Sequence, residues 1–132
     1  MDQAPQSERW VRLAKTHDLA TLGNQVTAQR LHFPTPMLRE MEKWSEKLGQ
    51  SVSWCARMAW SIAACDLEEE GQFDELSGHR LLKGKKHPER IELPLTCWFD
   101  LTLECERLDR SKSWMLQRAW LIARPRFMQA MR

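Results

Sequence analysis

The chain has 132 residues, 42% of them apolar and 29% charged, with a formal net charge of +2 and a mean hydropathy of -0.58. These values suit one ordinary domain, or two small units sharing a core, and exclude a disordered chain or a membrane span. A charge of +2 is small for a nonspecific nucleic-acid binder, so any DNA contact must come from local placement of cations.

The opening stretch "MDQAPQSERWVRLAKTHDLA" lacks the charged-then-apolar pattern of a secretory signal, and a cytoplasmic protein is expected. Residues 1–27 read as an N-terminal helical extension, with Ser7 as cap, Trp10, Leu13 and Ala14 on one side, and Gly23 as the stop. A short strand follows over 29–33, in which Leu31 and Phe33 face one side and Arg30 and His32 the other. Pro34 should end it, because proline cannot donate to a ladder.

Thr35 is the expected cap of a first helix, with Pro36 in its opening turn. Its apolar stripe is Met37, Met41, Trp44 and Leu48, and Gly49 should end it. Ser51 can cap a second helix with Cys55, Ala59 and Ile62 on its apolar face, fading into "DLEEEG". The unit spans 28–66. Residues 67–87 read as a linker ending in "KGKKHPER", whose Lys83, Lys85 and Lys86 are either solvated linker or supplementary phosphate contacts.

The same grammar then returns over 88–124. Strand 89–93 has Ile91 and Leu93 on one side, Arg90 and Glu92 on the other, and Pro94 at its end. Thr96 should cap a helix carrying Cys97, Leu101, Glu104 and Leu108, its stripe widened by Trp98 and Cys105. Asp109 should end it, Ser111 cap the next, and Met115, Ala119 and Ile122 form that helix's apolar face. Pro125 should close this helix, leaving 125–132 as a tail in which Phe127, Met128 and Met131 make an apolar edge.

Shifting the chain by sixty residues aligns 30–63 with 90–123 without a gap. Arg30/Arg90, Pro34/Pro94, Ser51/Ser111, Ser53/Ser113, Trp54/Trp114 and Trp60/Trp120 are among the identities. Two tryptophans matching in place mark an internal duplication. Trp60 and Trp120 are expected in the core, and Trp54 and Trp114, at the helix starts, partly exposed.

Strand, helix, turn and helix, written as "QRLHFPTPMLREMEKWSEKLGQSVSWCARMAWSIA" and "RIELPLTCWFDLTLECERLDRSKSWMLQRAWLIAR", resemble the ribbon-helix-helix (Arc/MetJ-type) family in two tandem copies. The resemblance implies a mainly α fold with a short two-stranded antiparallel β-ribbon, 29–33 against 89–93, forming a single-chain pseudo-dimer. Tandem units paired with a second chain, as a homodimer, are the rival arrangement. About thirty-five residues cannot offset their folding entropy without a partner, which agrees with either arrangement.

The resemblance further implies a sequence-specific DNA-binding regulator, repressor-like, whose ribbon enters the major groove of double-stranded DNA. Carried over residue by residue, base reading falls to Arg30, His32, Arg90 and Glu92, with Ala28 and Pro88 also outward. Phosphate clamping falls to Ser51 and Ser53, and to Arg110, Ser111, Lys112 and Ser113, at the starts of the second helices. The bland alternatives are solvated strand arginines and plain serine caps.

A protein-interaction or assembly adaptor that keeps this fold without reading DNA is the alternative function. The low net charge, Glu92 and the seven tryptophans favour it. No Ser/His/Asp order, paired carboxylates or phosphate loop is visible, so no enzyme is expected. The cysteines (Cys55, Cys65, Cys97, Cys105) and histidines (His17, His32, His79, His87) lack metal-ligand spacing, and neither metal nor cofactor is expected.

Overall fold

We describe residues 25–64 and 78–130 from a computed structural model of the chain. The N-terminal helix expected within 1–24, most of the linker, Cys65 and Met131 lie outside the described residues. Among the described residues the order is β1 (Val26–Pro34), α1 (Thr35–Leu48), α2 (Val52–Ala64), a 3-10 turn (His79–Leu82), β2 (Lys86–Pro94), α3 (Leu95–Leu108) and α4 (Lys112–Ala130). The fold is mainly helical, with one two-stranded antiparallel sheet of β1 and β2. Within these residues, no helix is long and apolar enough to cross a membrane.

Each strand has nine residues, longer at both ends than the alternation alone suggests. The register sets Arg30 opposite Arg90, Ala28 opposite Glu92, and His32 opposite Pro88. The His32 amide and carbonyl are bonded to α4 rather than to β2. Because main-chain groups alternate in direction along a strand, the even-numbered residues therefore sit at non-hydrogen-bonded pairs. This accounts for Pro88 in mid-strand: its missing N–H falls where the ladder needs none. The ends of the ribbon close alike, with Thr35 N donating to Lys85 O at 3.0 Å and Leu95 N to Gln25 O at 2.7 Å.

Period-two patterning sends Leu31, Phe33, Ile91 and Leu93 into the core, each at most 5% exposed. Met37, Met41 and Trp44 of α1, and Trp98, Leu101 and Cys105 of α3, are buried beneath them. Helices α2 and α4 pack on each other, and each stands beside the strand from the other half of the chain, α2 by β2 and α4 by β1. Trp60 and Trp120 are buried there, as are Cys55, Ala59, Met115 and Ala119, whereas Ile62 and Ile122 are only half-buried.

Three local expectations are corrected. Thr35 and Thr96 do not cap their helices; Pro34 and Pro94 occupy the cap positions, with φ/ψ of -58/145 and -56/148. The pyrrolidine ring already holds the extended backbone a cap requires, so the helix starts at the next residue. The Thr35 hydroxyl instead donates to Lys85 O at 2.9 Å. The linker is also shorter than 67–87, because β2 reaches back to Lys86.

Third, Pro125 does not end α4, which continues to Ala130. Phe127, two residues later, is buried with its ring 5.0 Å from Trp120 and 6.2 Å from Trp44. Burial of a phenylalanine (about 1.5–3 kcal/mol) and aromatic contacts (about 0.5–1.5 kcal/mol each) offset roughly the 3 kcal/mol an interior proline costs. The helix ends at Gly49 and Asp109 are as expected, both left-handed, with φ of 64° and 54°.

One buried polar cluster has no counterpart in the other half. The Glu40 carboxylate accepts from Trp120 Nε1 at 2.8 Å and from Arg124 Nε, while Arg124 Nη2 donates to its second oxygen at 2.9 Å. Arg124 is 5% exposed. Gly78, at φ +88°, lies against that guanidinium so closely that a Cβ would stand 2.2 Å from Nη1.

Candidate nucleic-acid interface

The outer face of the ribbon carries Ala28, Arg30, His32, Lys86, Pro88, Arg90 and Glu92, all exposed. Its centre is the facing pair Arg30 and Arg90. In a non-hydrogen-bonded pair the Cα atoms are only about 4.5 Å apart, so two like charges are held on one small patch. Arg90 is partly compensated, its Nη1 standing 2.7 Å from Glu92 Oε1. Among the described residues Arg30 makes no ion pair.

The starts of the second helices divide the work of their serines. Ser51 and Ser111 are caps, their Oγ atoms accepting from Trp54 N at 3.0 Å and Trp114 N at 3.1 Å. Ser53 and Ser113 face the ribbon: Ser53 Oγ accepts from Glu92 N at 2.8 Å, and Ser113 Oγ from His32 N at 3.0 Å. These two hydroxyls use an acceptor lone pair on an outward strand amide, so each helix start is fastened to a ribbon edge. What remains for an anion is the first-turn amides, the hydroxyl protons and the neighbouring cations.

Those cations are unequally shared. Arg110 is exposed beside α4, its guanidinium 4.9 Å from the Trp114 ring centre, with Arg118 at 5.1 Å from the same centre. Lys112 Nζ donates to Gln29 Oε1 at 3.1 Å. Lys83, Lys85 and Lys86 are exposed. Lys86 and His32 join Ser111, Ser113, Trp114 and Gln117 around a groove of about 410 Å³. At the corresponding places on the α2 side stand Gln50, Val52 and Val26, and none is charged. A separate groove of about 160 Å³ on the α2 side is lined mostly by apolar side chains, Leu48, Trp54, Met58, Ile62 and Phe127, with Arg126 beside them. Trp54 and Trp114 are both half-buried, as expected.

Gln117 was not among the residues singled out from sequence, yet it is 5% exposed and its Nε2 donates to His32 O at 2.8 Å. It holds the His32 end of β1 in place. Its counterpart is Arg57, so the repeat itself hid the role.

No protein-family model, curated protein or solved structure matches this chain.

Proposed function

We propose that the chain is a tandem ribbon-helix-helix protein, its two units forming a single-chain pseudo-dimer. In this reading it is a cytoplasmic, sequence-specific DNA-binding regulator of the repressor type. The observation that carries the reading is Arg30 directly opposite Arg90 on an exposed two-stranded ribbon. Two arginines facing each other cost free energy in the free protein and are relieved by an anionic, acceptor-rich partner. A major groove about 12 Å wide admits such a ribbon, and guanine O6/N7 suits each guanidinium. Reciprocal bonds support the pseudo-dimer: Ser53 to Glu92 and Ser113 to His32 are the same contact sixty residues apart.

The test is a gel shift against genomic fragments at fixed salt. Wild type should retard a subset of fragments, and the Arg30→Ala/Arg90→Ala variant should not. Retardation unchanged by the double substitution would remove the ribbon from the interface.

A second reading, an assembly adaptor on the same fold, is favoured by the apolar groove around Trp54, Met58 and Ile62. A tryptophan and a methionine at a solvent-facing groove suit a protein partner. Co-purification of one stoichiometric protein, lost with Met58→Glu, together with no retarded DNA fragment, would favour it.

A further inference from the structure

We propose that the duplex contact is one-sided: the end of the molecule bearing Lys86, Arg110 and Lys112 holds the DNA backbone, and the opposite end does not. The proposal rests on the DNA-binding reading above and specifies which flank of the site is gripped.

The argument is the charge at corresponding positions. Lys86 answers to Val26, Arg110 to Gln50, Lys112 to Val52, and His32 to Glu92. At these four pairs one end has three fixed positive charges where the other has a single carboxylate. These groups are contiguous in space. Lys86 and His32 share a groove with Ser111, Ser113 and Trp114, and Arg110 lies over the Trp114 ring. Lys112 reaches Gln29 on β1 from the first turn of α4.

At the other end Ser53 fastens the Glu92 backbone, and the Glu92 carboxylate draws in Arg90 at 2.7 Å. The central positive charge is thus neutralised on the side that already has fewer cations. Arg57, which answers to Gln117, is exposed on this side, and one arginine against the Glu92 carboxylate leaves no net positive charge there, against three cations at the other end.

Distance keeps the ends independent. In the register His32 faces Pro88, four residues from Glu92, about 13 Å at roughly 3.3 Å per residue. The screening length is about 8 Å at physiological salt. A phosphate near Lys86 is attracted without hindrance from Glu92, and one near Glu92 gains nothing from Lys86.

The test uses the full chain and a duplex selected by it from a randomised library. Phosphate ethylation interference should show blocking phosphates on one flank of the selected site. Lys86→Ala/Arg110→Ala should make the log–log salt dependence of binding shallower by about 2, roughly one per lost phosphate contact. Gln50→Ala/Val52→Ala should leave it unchanged. The transplant Gln50→Arg/Val52→Lys/Glu92→His should add interfering phosphates on the second flank. Equal flanks for wild type, or equal losses from the two double substitutions, would overturn one-sidedness and leave the DNA reading standing. Failure to select any duplex would overturn both. Lys86, Arg110, Gln50 and Glu92 are exposed, whereas Val52 is half-buried against the core, so Gln50→Ala and Gln50→Arg/Glu92→His are run beside the variants that change Val52.

Discussion

Arg30 faces Arg90 across the ribbon with no ladder bond between them, and among the described residues Arg90 pairs with a carboxylate while Arg30 does not. Like charges placed directly opposite destabilise a strand pair by about 0.2–1 kcal/mol. Replacing Arg30 by Gln should therefore raise the free protein's urea midpoint slightly while weakening duplex binding. Equilibrium unfolding and gel shifts on the same preparation check both signs. A variant that loses stability would show that Arg30 has a structural role instead.

Glu92→Gln releases Arg90 from an exposed ion pair whose side chains are 72% and 47% accessible. Such pairs contribute about 0–1 kcal/mol, so stability should hardly move. Duplex affinity should rise and its salt dependence steepen, because a cation is freed and a repelling carboxylate removed. Titrations at two salt concentrations read the change.

Glu40→Ala should cost about 3–5 kcal/mol, since it strands the buried Arg124 guanidinium and removes the acceptor of Trp120 Nε1. Chemical denaturation measures this directly. Gly78→Ala should destabilise through the same guanidinium, because its Cβ would collide with Arg124 at a left-handed backbone position.

Ser53→Ala and Ser113→Ala each remove the acceptor of one outward strand amide. Each should lower stability by about 0.5–1.5 kcal/mol. The two sites lie on opposite ribbon edges, so the double variant should show a nearly additive loss. A strongly non-additive result would mean that the two helix starts are coupled.

Burial raises the thiols of Cys55 and Cys105 from 9.0 to about 11. The thiolate is the reactive form, so both should stay inert to thiol reagents between pH 7 and 9 in the folded protein. Their protonated state favours the fold fully below pH 9. That contribution is lost as pH rises from 9 toward 11, where the unfolded chain ionises first. Thiol labelling and unfolding midpoints against pH check the two halves of this prediction.

Much of this architecture was legible in the residues. The alternation of Leu31 with Phe33 and of Ile91 with Leu93 announced two strands, and the sixty-residue echo announced that they are alike. Ser51 and Ser111, then Gly49 and Asp109, marked helix boundaries through the hydrogen bonds and dihedral angles that each residue type favours locally. The outward set Arg30, His32, Arg90 and Glu92 followed from the same period of two, and all four are exposed.

Local preference misled where packing competes with it. Pro125 reads as a stop, yet Phe127 lodges against Trp44 and Trp120 and carries α4 onward. Thr35 reads as a cap, yet the preceding proline takes that place. The partners that decide the site are about eighty residues apart in sequence: Gln117 with His32, Arg124 with Glu40, Lys112 with Gln29. No window along the chain contains both members of such a pair. Periodicity, capping and internal repetition depend on neighbours within one or two turns, and the sequence by itself therefore determined the elements and their order. The register that brings Arg30 to Arg90, and the concentration of cations at one end of the ribbon, arise only when distant segments pack, and these the tertiary structure decided.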